Sequence, residues 1–259
     1  MKTFEGDFFK LYSMLVKGEP FAFTRCSDGE LLILQNKELM FGPGVIKIGD
    51  AITGSPYKPE EFKHFDPSKH GFHRDRLIDA FKFKKHNYFK GICCRCCTSS
   101  EDYKWQLELM EETPDYEFLT WANLFVNSNY SNFIQYYLPA FYSKRVVMVC
   151  NKSAKFDRLP FVVKHFPIGQ NAMVNDYGLI ETIKKWIKDN KISDHVFLCS
   201  AASFSELIVH QLYDFCDRNI YMDIGTTLSP LLGLHCDRSY LRGYWYGSQE
   251  QDINKVCIW

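Results

Sequence analysis

"HVFLCSAASFSELIVHQL", residues 195–212, decides the fold. It opens on a short apolar run, passes through four small residues at 200–203, and from 204 repeats its apolar positions at helical spacing. A strand apolar on both faces belongs in a sheet covered on both sides, and a strand that turns straight into a helix is the unit from which parallel sheets are built. The neighbouring stretches repeat the pattern. "RVVMVCN" (145–151), "FVVKHFPI" (161–168) and "NIYMDIG" (219–225) read as strands. Residues 175–190 read as a helix with Leu179, Ile180, Ile183, Trp186 and Ile187 on one side. The first half alternates likewise: strand 20–25, helix 28–36, short strand 45–48, a Pro/Gly/His-rich loop to about 75, helix 74–86, strand 91–97, helix 101–112, strand 117–122 and helix 129–141. The expectation is one α/β domain over 1–259, a Rossmann-like, mostly parallel sheet with helices on both faces.

Bulk composition narrows the function. Lys plus Arg and Asp plus Glu are both 31, so no global field draws in nucleic acid. No apolar run approaches the roughly 20 residues of a membrane span. The start, "MKTFEGDFFK", carries Glu5 and Asp7 and no long apolar stretch, which argues against a signal peptide. A reducing, cytoplasmic setting is expected, with the ten cysteines mostly free.

Two clusters read as structural. "GICCRCCTS" (91–99) holds two overlapping C-x-x-C spacings, Cys93/Cys96 and Cys94/Cys97. Cys150, Cys199, Cys216, Cys236 and Cys257 are scattered singly and supply no second ligand pair. On a strand, Cys94 and Cys96 would share one face and Cys93 and Cys97 the other. A buried strand is therefore expected rather than a metal site. His64, His70 and His73 fall in a segment with Pro67 and Gly71 and read as a solvated loop, kept as an acceptor-side candidate.

In parallel α/β sheets, ligands bind beyond the carboxyl ends of the strands. That rule selects Arg25, Asp28 and Glu30; Asn123 and Asn127; Asn151 and Lys152; Ser200, Ala201, Ala202 and Ser203; and Asp223 with Gly225. Each has a plainer reading: Ser203 as a helix cap with Glu206 three residues on, Asn151 as a strand end, Asp223 as a turn residue. In "FTRCSDGEL" (23–31), Ser27 and Glu30 spell a capping box. That leaves Arg25, Asp28 and Gly29 unexplained, and glycine at the second helical position costs roughly 1 kcal/mol against alanine. Two carboxylates separated by one residue can share a hard cation, with the arginine adding a contact to phosphate.

With these stretches in view, the chain resembles the GT-D class of glycosyltransferases. "FTRCSDGEL" is similar to that family's arginine-x-x-aspartate-glycine-glutamate signature, with its D-x-E core. "HVFLCSAASFSELIVHQL", "NIYMDIGTTLSP" and "TWANLFVNSNYSNF" are similar to further family segments. The likeness spans about residues 20–230. It departs at 200–203, where the family often has a G-P-T/A turn, and at Thr226, where it often has histidine. The resemblance implies transfer of a sugar from a nucleotide-diphosphate sugar, of UDP type, to a hydroxyl on a glycan, glycoprotein or glycolipid. It implies Mn²⁺ or Mg²⁺ near Asp28 and Glu30, diphosphate contacts from Arg25 and 200–203, and base, ribose or sugar contacts from Asn123 and Asn127. Asp50, His64, His73 and Asp75 stand open as the general base. Two rival classes remain. One is another Rossmann-type transferase such as a methyltransferase, disfavoured because no G-x-G-x-x-G follows a strand. The other is a non-catalytic nucleotide- or glycan-binding domain, disfavoured by the retained carboxylates.

Overall fold

The computed structural model describes residues 2–235, 237–248 and 254–259. In chain order the elements are α1 (Phe4–Lys17), β1 (Ala22–Arg25), α2 (Asp28–Leu34), β2 (Leu39–Gly42), β3 (Val45–Ile48), β4 (Ala51–Thr53), a 3₁₀ turn (Pro59–Glu61), β5 (Lys63–Phe65), α3 (Gly71–Lys82), β6 (Tyr88–Ile92), α4 (Ser100–Met110) and β7 (Leu119–Trp121). Then come a 3₁₀ turn (Asn127–Asn129), α5 (Tyr130–Asn132), a π-helical stretch (Phe133–Tyr137), α6 (Leu138–Phe141), β8 (Arg145–Asn151), β9 (Val162–Ile168), α7 (Ala172–Asn175), α8 (Leu179–Asp189), β10 (His195–Ser200), α9 (Phe204–Phe215), β11 (Ile220–Asp223) and α10 (Ser239–Tyr246).

Among the described residues, seven strands form one sheet in the order β7-β6-β1-β11-β10-β8-β9, and every pairing in it is parallel. The period-2 rule explains how one sheet serves two cores. On one face Ala22, Val147, Val149, Phe197, Cys199 and Tyr221 pack beneath residues of α2, α3, α4, α8 and α9. On the other, Phe23, Val146, Met148, Val196, Leu198 and Met222 pack beneath α1, the 124–141 segment and α10. Full burial of each Val, Leu, Phe or Met among them contributes about 1.5–3 kcal/mol. The expected Rossmann-like α/β architecture is therefore present. Among the described residues, no helix is long and apolar enough to cross a membrane.

Three sequence expectations need correction. The 45–48 strand exists, but as β3 of a separate antiparallel sheet, β4-β3-β2-β5, inserted between α2 and α3. Its strands β3 and β4, half-buried and exposed respectively, lack the continuous apolar signature of the main sheet. The loop expected up to about 75 holds β4, β5 and the start of α3, so His73 and Asp75 are helical. The strand placed at 91–97 is Tyr88–Ile92. Lys90, only 1% exposed, disguised its first half, and Cys93, Cys94, Cys96 and Cys97 follow the strand in a turn where Cys97 N donates to Cys94 O at 3.0 Å.

Gly91 shows why this strand end is tight. A Cβ there would stand 2.9 Å from Thr24 O and 3.0 Å from Ala122 Cα. Only glycine lets β1, β6 and the turn after β7 meet this closely, and that approach brings Ala122 O within reach of Arg25.

Candidate active site

A cleft of about 750 Å³ opens at the carboxyl ends of β1, β10 and β11. Arg25, Asp28, Glu30, Asn123, Asn127, Asn151, Ser200, Ala201, Ala202 and Asp223 line it. Sequence-selected residues from five strand ends and turns thus share one space. Lys152 and Ser203 do not line it, nor do Asp50, His64, His73 and Asp75. Asp50 lies in the turn between β3 and β4. His64 faces Glu38 at 3.6 Å, His73 packs against Phe72 and Tyr177, and Asp75 lies 3.8 Å from Arg74.

Arg25 ends β1 with its guanidinium seated on backbone: Nε donates to Ala122 O at 2.7 Å and Nη2 to Ser27 Oγ at 3.2 Å. Gly225 forms the opposite side of that seat. Its φ is +52°, and an added Cβ would collide with Arg25 Nη1. Here only glycine suits both the left-handed backbone and the space.

The opening of α2 answers the capping question in parts. Glu30 Oε2 accepts from Ser27 N at 3.1 Å, the carboxylate half of a capping box. Its Oε1 accepts from Ser203 Oγ at 2.6 Å, so the buried Glu30 ties the start of α2 to the start of α9. Asp28 is exposed to the cleft, and its Oδ1 accepts from Gly29 N at 3.0 Å. Ser203 does not cap α9: its side chain makes no cap bond and is spent on Glu30. The capping reading of Ser203 with Glu206 is thereby corrected; Ser205 Oγ, two residues on, accepts from Ala201 N at 3.0 Å.

At and beneath the cleft floor lies an acidic group that the strand-end rule only partly selected. Asp223 is 4% exposed, and its Oδ1 accepts from Gly225 N at 2.8 Å. Burial raises its pKa to about 6, against the lowering effects of Arg25 and the Gly225 amide. Glu206, also 4% exposed, has its carboxyl pushed well above the ordinary range by burial and then by the charges of Glu30 and Asp223. Its position inside an apolar helical run gave no signal of this. Burial likewise lowers the Lys63 ammonium, opposed by Glu30, which places Lys63 of the inserted sheet electrostatically against α2.

Sequence reasoning also missed the far wall. Glu61 and His235 line the cleft and meet at 2.9 Å through His235 Nδ1 and Glu61 Oε2. Tyr240, Arg238 and Arg242 come from the chain after β11, where no motif or periodicity marked them. Thr226, standing where the resembled family often has histidine, is 3.0 Å from Tyr240 through their hydroxyls.

No protein-family model and no curated protein matches the sequence. Solved structures do share its fold. One is described as "Selenomethionine substituted structure of domain of unknown function 1792 (DUF1792)", with TM-score 0.52 and 12% identity, covering 94% of this chain and 82% of that one. Another is "A New Glycosyltransferase (DUF1792) from Streptococcus sanguinis", with TM-score 0.51 and 13% identity, covering 95% and 91%. The structural neighbours are DUF1792 glycosyltransferase domains, and at these identities the likeness is one of fold.

Proposed function

We propose that this chain is a glycosyltransferase that moves a sugar from a nucleotide-diphosphate sugar, of UDP type, to a hydroxyl on a glycan, glycoprotein or glycolipid. The observation that carries this reading is the meeting of Asp28, the seated Arg25 and the start of α9 at the strand ends that form one cleft. The solved Streptococcus sanguinis glycosyltransferase shares the fold and supports the reaction class. A cytoplasmic setting suits a soluble donor of this kind.

The departing diphosphate gathers negative charge, so stabilising the leaving group is the main demand. Arg25 offers a charge-assisted contact held in place by Ala122 O and Ser27. The turn at 200–202 stands at the amino end of a 12-residue helix, whose dipole favours an anion. The donor set suits Mn²⁺ or Mg²⁺: hard cations take one or two carboxylates and fill the remaining positions with water and phosphate oxygens. Asp28 is the carboxylate that would hold the ion. Glu30, with both oxygens already accepting hydrogen bonds, would fix the turn that presents Asp28 and meet the ion through its water shell. When bound, the ion would neutralise charge on the diphosphate. On the acceptor side, His235 backed by Glu61 is the cleft pair chemically suited to receive the hydroxyl proton.

The test compares Asp28→Asn with Glu30→Ala, using thermal shifts with nucleotide sugars, with and without Mn²⁺, and donor turnover. Asp28→Asn should abolish metal-dependent turnover and leave the unliganded melting point in place, because Asp28 is exposed. Glu30→Ala should also cost roughly 1–3 kcal/mol of stability, by orphaning Ser203 and opening the helix start. Full metal-dependent turnover of every accepted donor by Asp28→Asn would overturn the reading.

A further inference from the structure

The turn after β6 and the chain's last residues converge on four thiols. The Sγ atoms of Cys94, Cys96, Cys97 and Cys257 all lie within 4.8 Å of one another. Cys94 and Cys96 are 3.0 Å apart, Cys96 and Cys97 3.9 Å, and Cys97 and Cys257 3.9 Å. In a tetrahedral Zn–S₄ unit with bonds near 2.3 Å, sulfurs stand about 3.8 Å apart, so two of these three separations already match. Cys97 touches two of the other thiols at once, an arrangement of a shared centre rather than of two separate disulfides.

Ordinary core packing does not account for the group. Cys96 is exposed and Cys97 half-exposed, whereas thiols that serve only as small apolar residues are buried. The turn itself gathers three of them, with Cys97 N and Thr98 N both donating to Cys94 O at 3.0 and 3.1 Å. Cys93, on the same stretch, stays out of the group: its Sγ donates to Cys26 O at 3.5 Å. The surroundings also suit a thiolate centre. Asn123 Nδ2 donates to Cys97 Sγ at 3.2 Å, the kind of N–H to sulfur contact that orients a metal-bound thiolate. Arg95 lies within the turn, and Lys255 is close enough to act on Cys97 electrostatically.

We propose that Cys94, Cys96, Cys97 and Cys257 bind one structural zinc ion, fastening the C-terminal segment to the end of β6. Four sulfur donors with no position left open make a closed site, structural rather than catalytic. The ligands are reduced thiols that lose their protons on binding, and no redox step is involved. Trp259, two residues beyond Cys257, stacks on Trp121 at 4.4 Å, and Lys255 O accepts from Ser128 N at 3.4 Å, so the fastened segment already packs against the main sheet. Because Cys97, Asn123 and Lys255 also line the cleft, the ion would stiffen one of its walls. The assignment is independent of the glycosyltransferase reading.

The test is metal content of the full chain, purified reduced without added zinc and dialysed against a weak chelator. About one zinc per chain is expected. Replacement by cobalt should give the visible bands of a tetrahedral site and a near-ultraviolet sulfur-to-cobalt charge-transfer band. Cys257→Ser should lower retained zinc at least tenfold, Cys257→His should keep it, and Cys93→Ser, outside the group, should leave it unchanged. If Cys257→Ser does not fold, zinc content and thiol titration of the wild type decide alone. Folded, metal-free wild type with all four thiols freely reactive would overturn the proposal. So would a Cys97–Cys257 disulfide in the reduced preparation, or equal zinc in Cys257→Ser and wild type.

Discussion

Gly225→Ala tests the seat of Arg25. Alanine at φ +52° costs about 1–2 kcal/mol from the left-handed backbone alone. The new methyl also collides with Arg25 Nη1 and stands 3.1 Å from its Cζ, so the guanidinium must swing away. Swinging strains or breaks the 2.7 Å bond to Ala122 O, and a charged hydrogen bond is worth about 1.5–3 kcal/mol. The guanidinium is the flexible end of its side chain and recovers part of that loss elsewhere, so a total near 3 kcal/mol is expected. At roughly 2–4 °C per kcal/mol for a chain of this size, the melting point should fall by about 6–12 °C. The double-mutant cycle with Arg25→Ala separates the two contributions. With arginine absent, Gly225→Ala should cost only the backbone share of about 1–2 kcal/mol. Thermal and urea denaturation of the four proteins supply the numbers. A Gly225→Ala protein that melts with wild type, or a cycle showing no coupling, would refute the reasoning.

Ser203→Ala should destabilise by about 1–3 kcal/mol in urea denaturation, because a buried Glu30 oxygen loses its donor. Since Ser203 makes no cap bond, helical circular dichroism should not change. The buried acids set a pH dependence with a definite sign. Asp223 has its pKa raised from an ordinary 3.8 to about 6, and Glu206 is raised well above its ordinary 4.5. At these two positions the folded chain holds more protons than the unfolded one above about pH 4, and these groups' contribution to stability is lost as pH rises through their folded pKa values. Glu206→Gln should flatten that decline and raise stability at pH 7, measured by urea denaturation across pH 4–8.

What could be read before the structure follows from how each signal is encoded. β8, β10 and β11 are buried on both faces, and their near-continuous apolar runs announce them. β6 hides behind Lys90, whose ammonium is buried with its Nζ 5.3 Å from the Tyr116 ring centre. The inserted sheet hides because strands such as Ala51–Thr53 are exposed and carry no alternation. At the cleft, the strand-end rule found residues whose position follows from the parallel sheet, such as Arg25, Asn123 and Asp223. It could not find those brought in by long-range folding. His235 meets Glu61 across 174 positions, and Cys257 meets Cys97 across 160. Local spacing holds no trace of such pairs, which is why the cysteine turn read as half a site without its other half. The general-base candidates failed to reach the cleft for a related reason: the 49–75 region folds into its own sheet and into α3, and those elements carry the side chains away.

The burial of α9 bears on how the cleft can change shape. Its first six residues, Phe204 through Val209, are all buried, as are Leu212 and Tyr213. It packs against β1, β10, β11, α3, α7 and α8. Sliding or tilting a helix without a water-facing stripe over its first turns would disturb both the sheet and its neighbouring helices, which makes α9 the rigid floor of the cleft. The β2–β5 layer is mostly half-buried, with β4 exposed, and it buries Leu39 and Phe65 in the core. The cleft thus pairs a floor locked into the core with an upper wall held mainly by hydrogen bonds, such as those from Asn171 N to Phe62 O and from Gln170 Nε2 to Pro59 O.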